Sequence, residues 1–253
     1  MRRNDWAEIK IFFNKVLSSE RNERMGYAKK HLLVAMVLTG MVMGGALTAK
    51  ADYDPRFRYG NSLDKTINQN WSVTLWSEFD TDNTSGHSLN AIDQELSIVY
   101  SGLAPWLDIG PGVGYWDAKS NGQWVDTTYP YGFITLKQTA FGLTFNDRNR
   151  FDAEIPEHYV GEGLTYRNAL TIATVKKWTP LELQPFVSDE VFYNTRENQV
   201  SDNQAFVGFN FKVTKNIGAS LSFMMDSSYK DEGARGFHWK KTPMAILSTS
   251  VNF

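Results

Sequence analysis

P-M-A-I-L-S-T-S-V-N-F, residues 243–253, sets how the rest of the chain is read. Ala245, Leu247, Thr249, Val251 and Phe253 fall on one face of an extended strand, and Ile246, Ser248, Ser250 and Asn252 fall on the other. The same period of two returns in segments 71–80, 90–100, 106–116, 128–137, 141–150, 163–175, 181–194, 203–213 and 216–226. In most of them one face is apolar, as in Trp71, Val73, Leu75 and Phe79, in Leu96, Ile98 and Tyr100, and in Ile217, Ala219, Leu221 and Phe223. The opposite face is polar or small, for example Gly218, Ser220 and Ser222. No long helical period interrupts the series, so the expected class is all-β.

A soluble sandwich alternates too, and the connections are what separate the two architectures. Short stretches at 101–105, 138–140, 176–180 and 214–215 alternate with long polar ones at 81–89, 117–127, 151–162, 195–202 and 227–242. That is the pattern of tight periplasmic turns and longer outer loops in an up-and-down transmembrane barrel. Greek-key connections in a sandwich give no reason for it. A last strand ending on Phe253 also resembles the C-terminal signature by which the barrel-assembly machinery recognises outer-membrane proteins. Aromatics near strand ends (Trp71, Trp106, Trp116, Tyr129, Trp178 and Tyr193) suit interfacial girdles. The expectation is an antiparallel barrel of ten strands over residues 71–253, with twelve as the alternative.

The N-terminus carries an export signal. Lys29 and Lys30 precede sixteen uncharged residues, Leu32 to Leu47, and Ala49-Lys50-Ala51 gives a small-x-small cleavage site. Residues 25–51 therefore read as a cleaved signal peptide for the Sec pathway, and residues 1–24 as an extended or over-annotated start. A single membrane helix fits less well, because the apolar run is short, holds three glycines and lacks a basic stop. Removing residues 1–51 takes away nine of 26 basic and four of 28 acidic residues, which leaves 17 and 24 and a net charge of −7. Nucleic acid, which needs a basic face, is not an expected partner. The expected surroundings are outer-membrane lipid and lipopolysaccharide in a Gram-negative envelope, with small solutes as possible cargo. The chain has no cysteine, so disulfides and thiol chemistry are excluded.

Two places are irregular. Residues 56–65 could add a strand, but an eleventh would leave the chain ends on opposite sides, so residues 52–70 are read as a lead segment outside the barrel. In 128–137 the phase of Tyr131 and Phe133 against Ile134 and Leu136 suggests a bulge.

Within 164–194, Y-R-N-A-L-T-I (166–172) and W-T-P-L-E-L-Q-P-F-V-S-D-E-V-F-Y-N (178–194) resemble the DUF2490 family, a group of bacterial outer-membrane barrels of unknown function. F-V-G-F-N-F-K-V-T-K-N-I-G-A-S-L-S-F (206–223) is similar to that family's penultimate hairpin. The resemblance covers roughly residues 56–253 and implies a fold and a location, with no established activity.

Chemistry is sought among the polar residues of the inward face. On the phase set by the apolar face, Glu78, Asp80, Asp93, Glu95 and Asp108 point inward from the early strands, Arg148, Arg150 and Arg167 from the middle, and Glu190 beyond them. Two readings follow: a salt-bridged interior filling a narrow barrel, or a transverse field at the constriction of a small porin-like channel. An outer-membrane hydrolase is the competing class and finds little support. His87, His158 and His238 all fall in predicted outer loops, and no serine motif or second acid pair accompanies them. Gly110-Pro-Gly-Val-Gly114 lacks the helix and Lys-Ser/Thr of a phosphate loop and reads as a bend or bulge. Phe237 and Trp239 beside Lys240 and Lys241 suit a loop at the membrane surface. No enzyme activity, metal or cofactor is expected.

Overall fold

The computed structural model describes residues 56–82, 88–120, 122–156, 163–231 and 237–253. The signal-peptide and cleavage-site expectations, Ala49 and Ala51 included, lie outside the described residues. The described chain is eleven strands: β1 (Arg56–Thr66), β2 (Trp71–Asp82), β3 (Ser88–Ala104), β4 (Leu107–Ser120), β5 (Gln123–Ala140), β6 (Leu143–Pro156), β7 (Gly163–Thr174), β8 (Gln184–Asn194), β9 (Gln199–Lys212), β10 (Ile217–Asp231) and β11 (Phe237–Asn252). Each pairs antiparallel with its sequence neighbour, and β1 pairs with β11 to close a barrel.

The closure corrects the expected count of ten or twelve. Residues 56–66 are a barrel strand, not a lead segment, and they run parallel to β11 from Arg56 opposite Met244 to Asp64 opposite Asn252. The expectation assumed antiparallel closure. A parallel pair satisfies the same backbone donors and acceptors with slanted bonds, and so admits an odd number of strands. Both sheet edges are thereby removed.

The inner face is fixed by side chains that meet across strands which are not neighbours. Glu95 on β3 accepts hydrogen bonds from Tyr129 and Tyr131 on β5 and from Arg150 on β6. Such contacts are possible only through the interior, and the register carries this phase to every strand. Burial agrees: inward Met224 is 0% and Tyr129 5% exposed, whereas outward Leu221 is 55% and Phe151 52% exposed. The barrel is therefore apolar over most of its outside and largely polar within. Its main apolar interior cluster is Met224, Met244 and Ile246, with Phe206 packed against it.

Three local expectations are corrected. The bulge expected in 128–137 is absent: β5 alternates without interruption, with Tyr129, Tyr131 and Phe133 inside and Ile134 and Leu136 outside. Tyr129, expected in a girdle, is thus an interior residue, and Trp116 shares the inward phase through its pairing with Asp93 and Thr127. Much of the stretches 117–127 and 227–242, expected to be loops, is strand. Asp117 pairs with Asp126 and Lys119 with Trp124 in one hairpin, and Tyr229 pairs with Trp239 in the other. Polar composition misled there because a hairpin projecting beyond an apolar band keeps its ladder while its side chains turn hydrophilic.

The two ends of the barrel differ. At the end where β11 terminates, apolar side chains reach the turns. Trp71 packs on Tyr100 at 4.6 Å, and Trp106, Phe141 and Phe253 are exposed. Phe141 and Gly142 both have positive φ, 55° and 76°, as a two-residue hairpin of the type matching sheet twist requires. In the β7–β8 connection, Lys177 donates to Glu182 at 2.6 Å and holds its carboxyl below the usual range.

Candidate functional site

The interior site begins with glycines. Gly110, Gly112 and Gly114 occupy successive inward positions of β4, opposite Phe133, Tyr131 and Tyr129 of β5. Without side chains, β4 leaves a trough over which the tyrosines lie flat toward β3. A Cβ on Gly112 would stand 2.2 Å from the Cζ of Tyr131, and one on Gly114 would stand 2.1 Å from the Cζ of Tyr129. β4 is one continuous strand through this stretch, so the expected bend is instead a surface for aromatic rings. The phenols then reach the acids. Tyr131 donates to Glu95 Oε2 at 3.1 Å, and the one hydroxyl proton of Tyr129 is shared between Asp93 and Glu95 Oε1, the latter at 3.1 Å.

Arg150 joins this group from the far side. Its Nη1 donates to Glu95 Oε1 at 2.6 Å and its Nε to Asp152. Its guanidinium carbon lies 3.8 Å from the centroid of Tyr131 and 5.3 Å from that of Tyr129. Cation, π-face and carboxylates are thus stacked in one layer, which offsets the cost of burying the charge. Arg167 stands directly opposite Arg150 on β7. The like charges are separated by Asp152, which pairs with Arg150 and lies 3.5 Å from Arg167 Nη1. Glu190 completes the set at 2.9 Å from Arg167 Nε.

A second group sits on β1 and β2. Arg58 donates from Nε and Nη2 to the two oxygens of Asp80 at 2.6 and 2.9 Å, a bidentate fork. Its Nη1 is 3.1 Å from Glu78. Asp108 stands apart, paired with Lys137 at 2.7 Å. Arg148 has no carboxylate within ion-pair distance among the described residues. Its guanidinium lies 4.6 Å over Phe133, and its Nε is buried without a hydrogen-bond partner.

Of the nine charged residues named from sequence, the structure joins Glu95, Arg150, Arg167 and Glu190 in one network, with Asp93 tied in through Tyr129. It places Glu78 and Asp80 on Arg58 and leaves Asp108 and Arg148 outside both groups. Acid and base are not held apart across a gap, because Arg150 on β6 reaches Glu95 on β3 directly. Arg58, Asp152, Tyr129 and Tyr131 are the members that sequence reasoning missed. Asp152 continues the period of two begun by Arg148 and Arg150, and Arg58 lies in the alternating F-R-Y-G-N-S of β1. Both signals were therefore present. His87, His158 and the side chain of His238 lie outside the described residues.

No curated protein matches the chain. The family model described as "Protein of unknown function (DUF2490)" matches residues 56–236, which includes ten of the eleven strands in full. The chain belongs to the DUF2490 family.

Proposed function

We propose that this protein is a bacterial outer-membrane β-barrel whose interior is closed by a layer of ion pairs, so that it acts as a structural or solute-binding barrel and not as an open pore. The observation carrying the membrane reading is the inverted distribution of polarity. Exposed Leu75, Leu96, Val113, Ile134, Val187 and Leu221 form an outward belt, while Arg and Glu side chains occupy the inside. In water that arrangement leaves a large apolar surface exposed, and in lipid it is the required one. The outward apolar run Ile217–Met225 on β10 has the length of a membrane-crossing strand, about 9–11 residues.

One sector of the belt is polar. Outward-facing Asp147, Asn149, Asn168, Asp189 and Asn203 cross β6 to β9 near mid-height. They hydrogen-bond to one another: Asn168 donates to Asp147 at 2.6 Å and to Asn149 at 3.2 Å, and Asn203 donates to Asp189 at 3.0 Å. Mutual pairing lowers the cost of placing such groups away from water.

The support for closure is the Arg150–Glu95 bridge at 2.6 Å, which passes from β6 to β3 through the interior beside the two tyrosines. The test of location is density-gradient separation of the cell envelope, with mass spectrometry of the N-terminus. The protein is expected in the outer-membrane fraction, beginning at Asp52. Recovery from a soluble fraction, or with Met1 or Met25 retained, would overturn the reading.

A further inference from the structure

The interior holds an open pocket of about 360 Å³ lined by β5 to β9, on the Phe253 side of the ion-pair layer. That is near the lower end of the volumes typical of small-molecule sites. Its lining is divided. Arg148, Asn146 and the Thr171–Ser188 pair, hydrogen-bonded at 2.7 Å, supply polar groups, and Phe186 and Phe206 supply an apolar wall.

Arg148 and Glu190 both line this cavity, and of the two only Glu190 has an ion-pair partner among the described residues. Arg58, Arg150, Arg167 and Lys137 each have a carboxylate partner. Glu190, which lines the cavity, is already engaged by Arg167 at 2.8 Å. Arg148 has no carboxylate within ion-pair distance among the described residues; its guanidinium lies over Phe133, its Nε is buried, and no hydrogen bond from those residues engages its terminal nitrogens. Asn146, two residues away on the same face, makes no side-chain hydrogen bond among the described residues. A guanidinium with free donors matches a carboxylate or similar oxyanion in planar, two-pronged geometry. The apolar wall is firm, because Phe206 is packed against the buried Met224, Met244 and Ile246.

We infer that this cavity is a binding site for a small organic monoanion, with its carboxylate on Arg148 and Asn146 and its apolar body against Phe186 and Phe206. The inference extends the solute-binding side of the proposed function and uses the ion-pair layer only as the cavity's inner boundary.

The experiment uses 4-fluorobenzoate as the probe, followed by ¹⁹F NMR against the full mature barrel in lipid nanodiscs, with 4-fluorobenzyl alcohol as the neutral control. The acid is expected to bind saturably and the alcohol not. Arg148→Gln should weaken binding by about tenfold or more, the loss expected for a charge-assisted hydrogen bond. Arg148 lacks an ion pair, so this variant should keep the wild-type unfolding midpoint. Ser188→Trp, which fills the cavity without removing a charged residue, should abolish binding independently. Absence of saturable binding by the wild type, equal binding of acid and alcohol, or unchanged binding in either variant would overturn the site. The readout is binding and not current, so its failure is distinguishable from failure of the closed-barrel reading, which appears as conductance.

Discussion

Gly112 and Gly132 lie on neighbouring strands and face opposite ways, and the difference decides what an added methyl group would do. On Gly112 it would collide with Tyr131, whereas around Gly132 nothing lies within 4 Å. Gly112→Ala should therefore push Tyr131 off Glu95 and Arg150 and lower stability by about 1–3 kcal/mol, the usual cost of overpacking. Gly132→Ala should leave the urea midpoint nearly unchanged. Equal losses would mean that the tyrosines do not lie over β4. At this scale the sequence was legible wherever alternation was clean. The inward phase of Glu78, Glu95, Arg150 and Arg167 follows from period two alone. Tyr129 and Tyr131 were not legible, because an aromatic on a β-strand suits a lipid interface and a polar interior equally well. What assigns them inward is the glycine row on the next strand, a pairing that only the register reveals.

Among the elements, β10 provides the sharpest contrast between the two faces. Leu221 is outward and 55% exposed, between Phe209 and Leu247, while Ser220 points inward between Asn210 and Ser248. Leu221→Arg places a cation on the outward face, and if that face meets lipid as proposed the change should cost about 2–4 kcal/mol near mid-membrane. Ser220→Arg should cost less, because the neighbouring inward groups are polar. Urea titration in liposomes compares the two, and equal losses would put the assigned phase or the membrane itself in error. Strand existence was legible for every segment after residue 70. In β1, Phe57, Tyr59 and Leu63 alternate with Arg58, Gly60 and Ser62 as in the other strands. Only an even-strand rule, and not its residues, argues against it as a barrel strand, and parallel pairing with β11 removes that rule's force. Loop lengths were overestimated for a different reason, since the hairpins of β4–β5 and β10–β11 continue as paired strands into polar sequence.

For the whole molecule, the proposed closure of the interior rests on the layer of Glu95, Arg150, Asp152, Arg167 and Glu190 carried by β3, β6, β7 and β8. Arg167 is the joint between Asp152 and Glu190. Arg167→Gln removes a half-buried cation, 21% exposed, from two carboxylates; a fully buried pair broken on one side typically costs about 3–5 kcal/mol, and the exposure here puts the loss below that. The unfolding midpoint should fall accordingly, while the remaining Arg150–Glu95 bridge and its tyrosines should still bar a continuous water path. A porin-like channel would respond in the opposite way, keeping its stability while its selectivity moved toward cations. The measurement that tests closure most directly is therefore the planar-bilayer current of the wild type beside Arg167→Gln. The account predicts no large steady conductance from either protein; a large, stable conductance whose reversal potential shifts in the variant would contradict it.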